Sequence, residues 1–161
     1  MKKMILAFVL LLAVCVCALA QEEKKIAVGL SMEWNGNSRE MLAVGFAFNF
    51  DYNLPVSPAP LAIGFAVTSS NNYTGTRVVE FAALFRWYFE EKAHNGLFLQ
   101  AEAGASLIFD NSGKNVPLPV MGGLRIGYRK LHDKSFYIEP YAGIGYSFLL
   151  RGGLIVGMRF K

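Results

Sequence analysis

The stretch MLAVGFAFNFDY, residues 41–52, decides the fold, because large and small side chains alternate along it. Its even positions are all large and apolar or aromatic: Leu42, Val44, Phe46, Phe48, Phe50 and Tyr52. The odd positions from 43 onward are small or polar: Ala43, Gly45, Ala47, Asn49 and Asp51. A period of two predicts a β-strand with one apolar face and one face of small and polar residues.

Seven further segments repeat this alternation, one before residues 41–52 and six after them. They cover residues 25–34, 61–68, 79–89, 97–109, 118–128, 136–148 and 153–160. Residues 35–38 (NGNS) and 111–113 (NSG) are strong turn signals between segments. After residue 20 no segment has a helical period, so the chain is predicted to be all-β, with eight antiparallel strands connected in an up-and-down order.

Three prolines fall inside the predicted strands, where a residue without an N–H cannot donate to the ladder. Pro117 and Pro119 predict either a bulge or a late start of the sixth strand. Pro140, on the apolar side of the seventh strand, has no explanation from the sequence.

The first twenty residues resemble a cleaved signal peptide. Lys2 and Lys3 precede an apolar run, and residues 18–20 (ALA) form a cleavage signal before Gln21. Attachment of a lipid to Cys15 or Cys17 is a less favoured alternative, because the residues before them fit poorly. The mature chain, residues 21–161, is predicted to be one domain without cysteine. It keeps 14 basic and 12 acidic side chains, a charge of +2 that gives no reason to expect nucleic-acid binding.

An exported, apolar chain without spanning helices can cross a bilayer only as a closed barrel, since every backbone polar group must be satisfied without water. The face opposite the apolar one is mostly Gly, Ala and Ser, which fits a narrow lumen better than a water-exposed surface. The apolar face should therefore contact lipid, with aromatic residues near both rims. One predicted rim has Trp34, Phe109 and Phe148; the other has Phe50, Tyr52, Trp87, Phe89, Tyr128, Phe136 and Phe160.

With its signal peptide, its strand count and the closing strand at 153–160 (GLIVGMRF), the chain resembles the small eight-stranded outer-membrane barrels of the OmpA-domain, OmpX and OmpW type over residues 25–161. The resemblance implies a bacterial outer-membrane location, with both termini in the periplasm. It also implies that Phe160 is the signal read by the barrel-assembly machinery, although Lys161 follows it where the family ends on the aromatic residue.

In that orientation the turns after strands one, three, five and seven face outward, and each is predicted to contain a basic residue. These residues are Arg39, Arg77, Lys114 and Arg151. They could contact anionic lipid headgroups or surface polymers. The favoured interpretation is that they are ordinary solvated loop charges, because Glu40 and Asp110 lie beside them.

Charges on the small-residue face are more informative. Glu102, Arg125 and Glu139 lie on consecutive strands at similar heights, with Arg125 predicted nearly opposite Glu139. Arg86 and Arg159 could extend this set. Isolated charges inside a narrow barrel are costly, so these residues should pair. We expect a network that fills the lumen and sets the register; a gate that admits ions is the less favoured alternative.

No catalytic, cofactor or metal site is predicted. The only histidines, His94 and His132, fall in connectors at the periplasmic end, away from any serine–acid arrangement. The sequence favours a monomeric, non-enzymatic barrel, in contact with outer-membrane lipids, that has a structural role or passes small solutes. Two alternatives remain open: a surface adhesin or partner-binding barrel, and an OmpW-like carrier of small apolar molecules.

Overall fold

The computed structural model describes residues 26–36, 42–54, 60–72, 75–90, 95–109, 115–132 and 135–160, and the side chains of 115–119 are left out of the description. The predicted signal peptide, Arg39, His94, Lys114 and Lys161 lie outside these residues. The strands are β1 Ile26–Gly36, β2 Ala43–Asn53, β3 Leu61–Asn71, β4 Arg77–Tyr88, β5 Gly96–Phe109, β6 Asn115–Leu131, β7 Phe136–Tyr146 and β8 Leu150–Phe160.

Each strand pairs antiparallel with the next, and β8 pairs with β1, so the sheet closes into a barrel. This confirms the predicted all-β, eight-stranded, up-and-down architecture. We call the end that contains Ile26 and Phe160 the terminal end, and the end that contains Gly36 and Ala43 the distal end. Within the described ranges there is no helix long and apolar enough to cross a membrane.

The alternation predicted from the sequence sorts the side chains between the two faces of the wall. In β2, Phe46 is 66% exposed on the outside, whereas its neighbour Ala47 is 4% exposed and points into the barrel. The same pattern recurs in the other strands, with Leu, Ile, Val, Phe and Trp outside. An exterior this apolar is unfavourable in water and suits the hydrocarbon region of a bilayer.

Glycines in the lumen make room for two inward-pointing tyrosines. A Cβ added to Gly29 would lie 2.6 Å from the Tyr137 hydroxyl, and one added to Gly157 would lie 2.5 Å from the same atom. Gly153 plays the same part for Tyr141, whose hydroxyl would lie 2.7 Å from an added Cβ. The absence of side chains at these glycines therefore leaves the space that the two tyrosines occupy in the narrow lumen.

Pro119 lies at a bulge near the start of β6, whereas Pro117 still pairs with Leu107 of β5. Gly104 pairs with Met121 and Ser106 pairs with Leu118. An advance of two residues along β5 therefore corresponds to an advance of three residues along β6. The extra residue falls at Pro119–Val120. Of the two interpretations from the sequence, the bulge is correct and the late strand start is wrong, because β6 already begins at Asn115.

Pro140 lies where the β6–β7 ladder is interrupted. Gly127 pairs with Tyr141 and the next pair along the ladder is Lys130 with Ile138. On the other side of β7, Pro140 pairs with Leu154 of β8. A residue without an N–H fits at a gap in the pairing. This placement supplies the explanation that the sequence lacked.

The end of β7 differs from the prediction. The strand stops at Tyr146, a turn covers residues 147–149, and β8 begins at Leu150 instead of 153. Ser147 has φ 83°, a left-handed conformation that reverses the alternation. Phe148 therefore points into the barrel, and its assignment to the outer aromatic rim is wrong.

The other predicted rim aromatics lie on the outer face, where Trp87 and Phe89 stack with their ring centroids 5.4 Å apart.

Candidate functional site in the barrel lumen

The most distinctive feature of the lumen is its content of buried charge. Nine charged side chains on the described strands are at most 5% exposed, namely the carboxylates Glu33, Asp51, Glu80, Glu102 and Glu139 and the guanidinium groups of Arg86, Arg125, Arg129 and Arg151. All nine occupy the inward positions of their strands, so the backbone alternation alone directs them to the lumen. They form two groups along the barrel axis.

The first group, the terminal cluster, consists of Asp51, Arg86, Arg129 and Glu139. Arg86 contacts Asp51 Oδ2 at 3.1 Å through NH1 and Glu139 Oε1 at 2.9 Å through NH2. Arg129 contacts Asp51 Oδ2 at 2.5 Å and Glu139 Oε2 at 2.6 Å. Both carboxylates therefore bridge both guanidinium groups. The closed set joins β2, β4, β6 and β7 across the bore.

Aromatic rings support the two arginines of the terminal cluster. The guanidinium carbon of Arg86 lies 4.1 Å from the centroid of the Phe98 ring, and that of Arg129 lies 4.1 Å from the Tyr137 ring. Gln100 Oε1 accepts a hydrogen bond from Arg86 Nε at 2.9 Å. Cation–π contacts and hydrogen bonds fix the orientation of guanidinium groups that have lost their water.

The second group, the distal cluster, consists of Glu33, Glu80, Glu102, Arg125 and Arg151. Arg151 contacts Glu80 Oε1 at 2.5 Å and Glu102 Oε2 at 3.4 Å. Arg125 pairs with Glu102 through Nε, and its NH2 lies 3.7 Å from Glu33 Oε2. These contacts join β1, β4, β5, β6 and β8, so the cluster ties together strands that are not neighbours in the sheet.

Neutral side chains complete the distal cluster and connect it to the terminal one. Tyr141 donates a hydrogen bond to Glu33 Oε2 at 2.6 Å, and Asn35 donates to Glu33 Oε1 at 3.0 Å. Gln100 Nε2 donates to Glu102 Oε1 at 2.7 Å. Because Gln100 also accepts from Arg86, it links the two clusters into one network along the axis.

The two clusters differ in net charge. Two guanidinium groups balance two carboxylates in the terminal cluster, whereas two face three carboxylates in the distal cluster, leaving a formal charge of −1 there. Removing one partner of a buried ion pair typically costs about 3–5 kcal/mol, because the remaining charge is left without compensation. The network is therefore suited to fixing the relative positions of the strands that it joins.

The structure includes four of the five residues predicted for the lumen in its charge network, but the predicted juxtaposition of Arg125 and Glu139 is wrong. Arg125 does not face Glu139; it pairs with Glu102 and Glu33, while Glu139 binds Arg86 and Arg129. The fifth residue, Arg159, is on the lumen side of β8 and is only partly buried.

Arg151 is not at the outer rim, where the sequence interpretation placed it. Because β8 starts three residues earlier than predicted, Arg151 belongs to the strand and points into the lumen. Arg77, by contrast, is exposed at the distal start of β4, and its Nε donates to Ser69 Oγ at 3.0 Å. Arg39 and Lys114 lie outside the described residues. Phe160 is exposed at the terminal end of β8 and pairs with Ile26.

Sequence reasoning missed five members of the network: Glu33, Asp51, Glu80, Arg129 and the lumen placement of Arg151. Three of them could have been found, because Glu33, Asp51 and Glu80 lie on the same face of their strands as the small residues that point into the lumen. Arg129 lies one residue beyond the predicted end of its strand. The face on which a charge lies does not by itself show which of these charges meet across the bore.

The described lumen offers no recognisable catalytic or metal chemistry. In the part of the chain that the structure describes, no group of three His, Cys, Asp or Glu side chains is placed to hold a metal ion. His132 is exposed just beyond β6 at the terminal end. The carboxylates of the two clusters instead accept contacts from arginine, tyrosine and amide donors.

A closed barrel of eight antiparallel strands, apolar outside and filled by polar side chains inside, is the fold of a small transmembrane β-barrel. The structure of the Neisserial surface protein A (NspA) resembles it with a TM-score of 0.60 and 15% identity over 84% of this chain and 95% of that one. A de novo designed transmembrane β-barrel resembles it with a TM-score of 0.50 and 14% identity, covering 87% and 98% of the two chains. Ail, the attachment invasion locus protein of Yersinia pestis, gives a TM-score of 0.46 at 13% identity, covering 84% and 95%. No protein-family model matches the sequence, and the search of curated proteins found no match.

Proposed function

We propose that the chain is a non-enzymatic integral protein of the bacterial outer membrane with a structural role, whose lumen is closed by its own charged side chains. The observation that carries this proposal is the pairing of buried arginines and carboxylates across the bore. Arg86 alone reaches from β4 to Asp51 on β2 and Glu139 on β7. Side chains that meet across the middle of an eight-stranded barrel leave little room for solutes.

The outer wall supports the membrane part of the proposal. Large apolar side chains are exposed on all eight strands, from Leu30 and Phe46 to Val156 and Phe160. Lipids of the outer membrane are therefore the main partners we propose. The exposed aromatic Phe160 at the end of β8 fits a role as the assembly signal, and we propose a monomer because the sheet closes on itself.

The alternatives receive less support. A carrier with lateral release needs an opening in the wall, but all eight neighbouring strand pairs are joined, and the β6–β7 ladder resumes on both sides of its interruption at Pro140. An adhesin needs an outer binding surface, and the described distal turn between β7 and β8 has only three residues. Narrow permeation would require the two clusters to rearrange.

Planar-bilayer recording of the refolded mature protein, residues 21–161, tests the closed lumen. We expect no stable open channel for the wild type, because the terminal and distal clusters both obstruct the bore. The double variant R86A/R129A removes both cations of the terminal cluster, and because the distal cluster still obstructs the bore, it should stay as closed as the matched surface control R77A. A stable, ohmic channel in the wild-type protein would contradict the proposal.

A further inference from the structure

Phe148 is a large apolar side chain that enters the lumen from a turn instead of from a strand. It lies in the turn between β7 and β8 and is 7% exposed, although the next residue in the same turn, Leu149, is 55% exposed. Phe148 packs with Ala43 and Val78, and Ile108 packs against this group. We call these four residues the mouth cluster.

The members of the mouth cluster come from different sides of the barrel. Ala43 is the first residue of β2, Val78 the second of β4 and Ile108 the penultimate residue of β5, all at the distal end. In a closed ring of eight strands, β4 lies opposite β8. Phe148, carried by the β7–β8 turn, must therefore reach across the distal opening to contact Val78.

The turn that carries Phe148 is held in an uncommon conformation. Ser147 has φ 83°, which for a residue other than glycine requires stabilisation by its surroundings. Its hydroxyl lies 3.1 Å from the Ser106 hydroxyl on β5, and the Arg151 guanidinium lies 5.7 Å from the Phe148 ring. The inward position of Phe148 is thus fixed on both sides of the turn.

Towards the terminal end from the mouth cluster lies the distal cluster, with its excess of one carboxylate. Asn35 and Ser70 are buried beside the mouth cluster, because Asn35 pairs with Ala43 and Ser70 pairs with Val78. Asn35 also donates hydrogen bonds to Ser70 and to Glu33 of the distal cluster. An apolar seal above charged groups keeps water from them and so strengthens their pairing. Removal of Phe148 would open the space between the distal mouth and the distal cluster, which we call the vestibule. The excess carboxylate of the distal cluster would attract cations into this vestibule.

We propose that Phe148 is an apolar gate that closes the distal mouth of the lumen, and that the vestibule beneath it selects small cations. The proposal depends on the proposed function only in requiring a folded barrel. The gate can exist whether or not the deeper network conducts.

Access of water-soluble reagents to Ser70 tests the gate. Ser70 is 1% exposed and pairs with Val78 of the mouth cluster across β3 and β4. Because the predicted mature chain has no cysteine, S70C would carry its only thiol. The variants S70C, S70C/F148A and S70C/L149A are folded in detergent, verified by circular dichroism, and treated with a cationic (ethyltrimethylammonium) or an anionic (ethylsulfonate) methanethiosulfonate. Each rate is normalised to that of free mercaptoethanol.

We expect F148A to raise the rate of S70C modification by about tenfold, because the thiol loses its cover, whereas L149A leaves it nearly unchanged. In F148A the normalised cationic rate should exceed the anionic one, and the difference should shrink as salt is added. Equal rates with and without Phe148 would overturn the gate. A faster anionic reaction would overturn the cation preference. Bilayer conductance of the wild type bears on the proposed function alone, so the two failures can be told apart.

Discussion

Arg86 shows how a single side chain can join distant parts of a barrel. From β4 its guanidinium contacts carboxylates on β2 and β7, the amide oxygen of Gln100 on β5, and the ring of Phe98. Removing a buried charge destabilises a protein, because its partners are left without compensation. Replacing the whole set of charges by apolar groups of the same shape can leave the stability unchanged. The value of Arg86 lies in specifying which strands meet.

We expect R86M to lower the free energy of unfolding by about 3–5 kcal/mol, because Asp51 and Glu139 each lose one of their two arginine partners. Urea titration of the protein in lipid vesicles measures this change. R77A is the control, since Arg77 is an exposed arginine on the same strand, and it should change stability by less than about 1 kcal/mol. Equal losses in the two variants would show that the terminal cluster does not stabilise the barrel.

Tyr141 offers a test of a single hydrogen bond to the distal cluster. Y141F removes the hydroxyl that donates to Glu33 Oε2 at 2.6 Å and leaves the ring in place. Loss of a bond to a charged group should destabilise the barrel by about 1.5–3 kcal/mol in the same urea titration. The control is Y146F on the outer face of β7, where Tyr146 is exposed and no comparable loss is expected. If Y141F were as stable as Y146F, the Tyr141–Glu33 bond would have no energetic weight.

At the scale of strands and turns, the sequence predicted the existence of all eight elements and which face of each is apolar, because backbone alternation is a local property. The β7–β8 turn was not predictable, because Ser147 adopts a left-handed conformation without the glycine that usually signals one. This one residue reversed the predicted direction of Phe148 and shifted the start of β8. Arg151 consequently moved from a predicted outer turn to the lumen.

The site was predictable to a smaller extent than the fold. Arg86, Glu102, Arg125 and Glu139 were found because they stand on lumen faces among small residues. Which charges pair with one another was not predictable in the same way. The contact between Arg129 and Asp51, for example, joins residues 78 positions apart in the sequence. Such contacts follow from barrel closure and strand stagger, which no local pattern contains.

Two glycines of β8 test the packing between elements. A Cβ on Gly157 would collide with the Tyr137 ring and with the carbonyl oxygen of Val28, whereas one on Gly152 would have its nearest neighbour, Tyr141 O, at 3.7 Å. We expect G157A to destabilise the barrel by about 1–3 kcal/mol, because the added methyl group fits only if the Val28 backbone and the packed Tyr137 ring both move. G152A should be neutral or slightly stabilising. Equal stability of the two variants in thermal unfolding would contradict this packing.

For the whole molecule, the arrangement of its surfaces is the inverse of that in a water-soluble protein. Most of its large aliphatic side chains are outside, and its buried charges are inside. Because β8 closes on β1, every strand has a paired neighbour on each side, which is the arrangement that lets a sheet cross a bilayer. The two charged clusters lie inside the barrel, where ion pairing offsets part of the cost of removing the charges from water.

The two tryptophans allow this inversion to be measured directly. Trp34 and Trp87 both lie exposed on the outer wall, Trp34 towards the distal end and Trp87 towards the terminal end. In vesicles of brominated lipids, the fluorescence of W34F and of W87F, each of which retains one tryptophan, should be strongly quenched, whereas aqueous iodide should quench both only weakly. Strong iodide quenching without bromolipid quenching, in a protein that stays dissolved and monomeric without detergent, would show that the apolar wall does not face lipid.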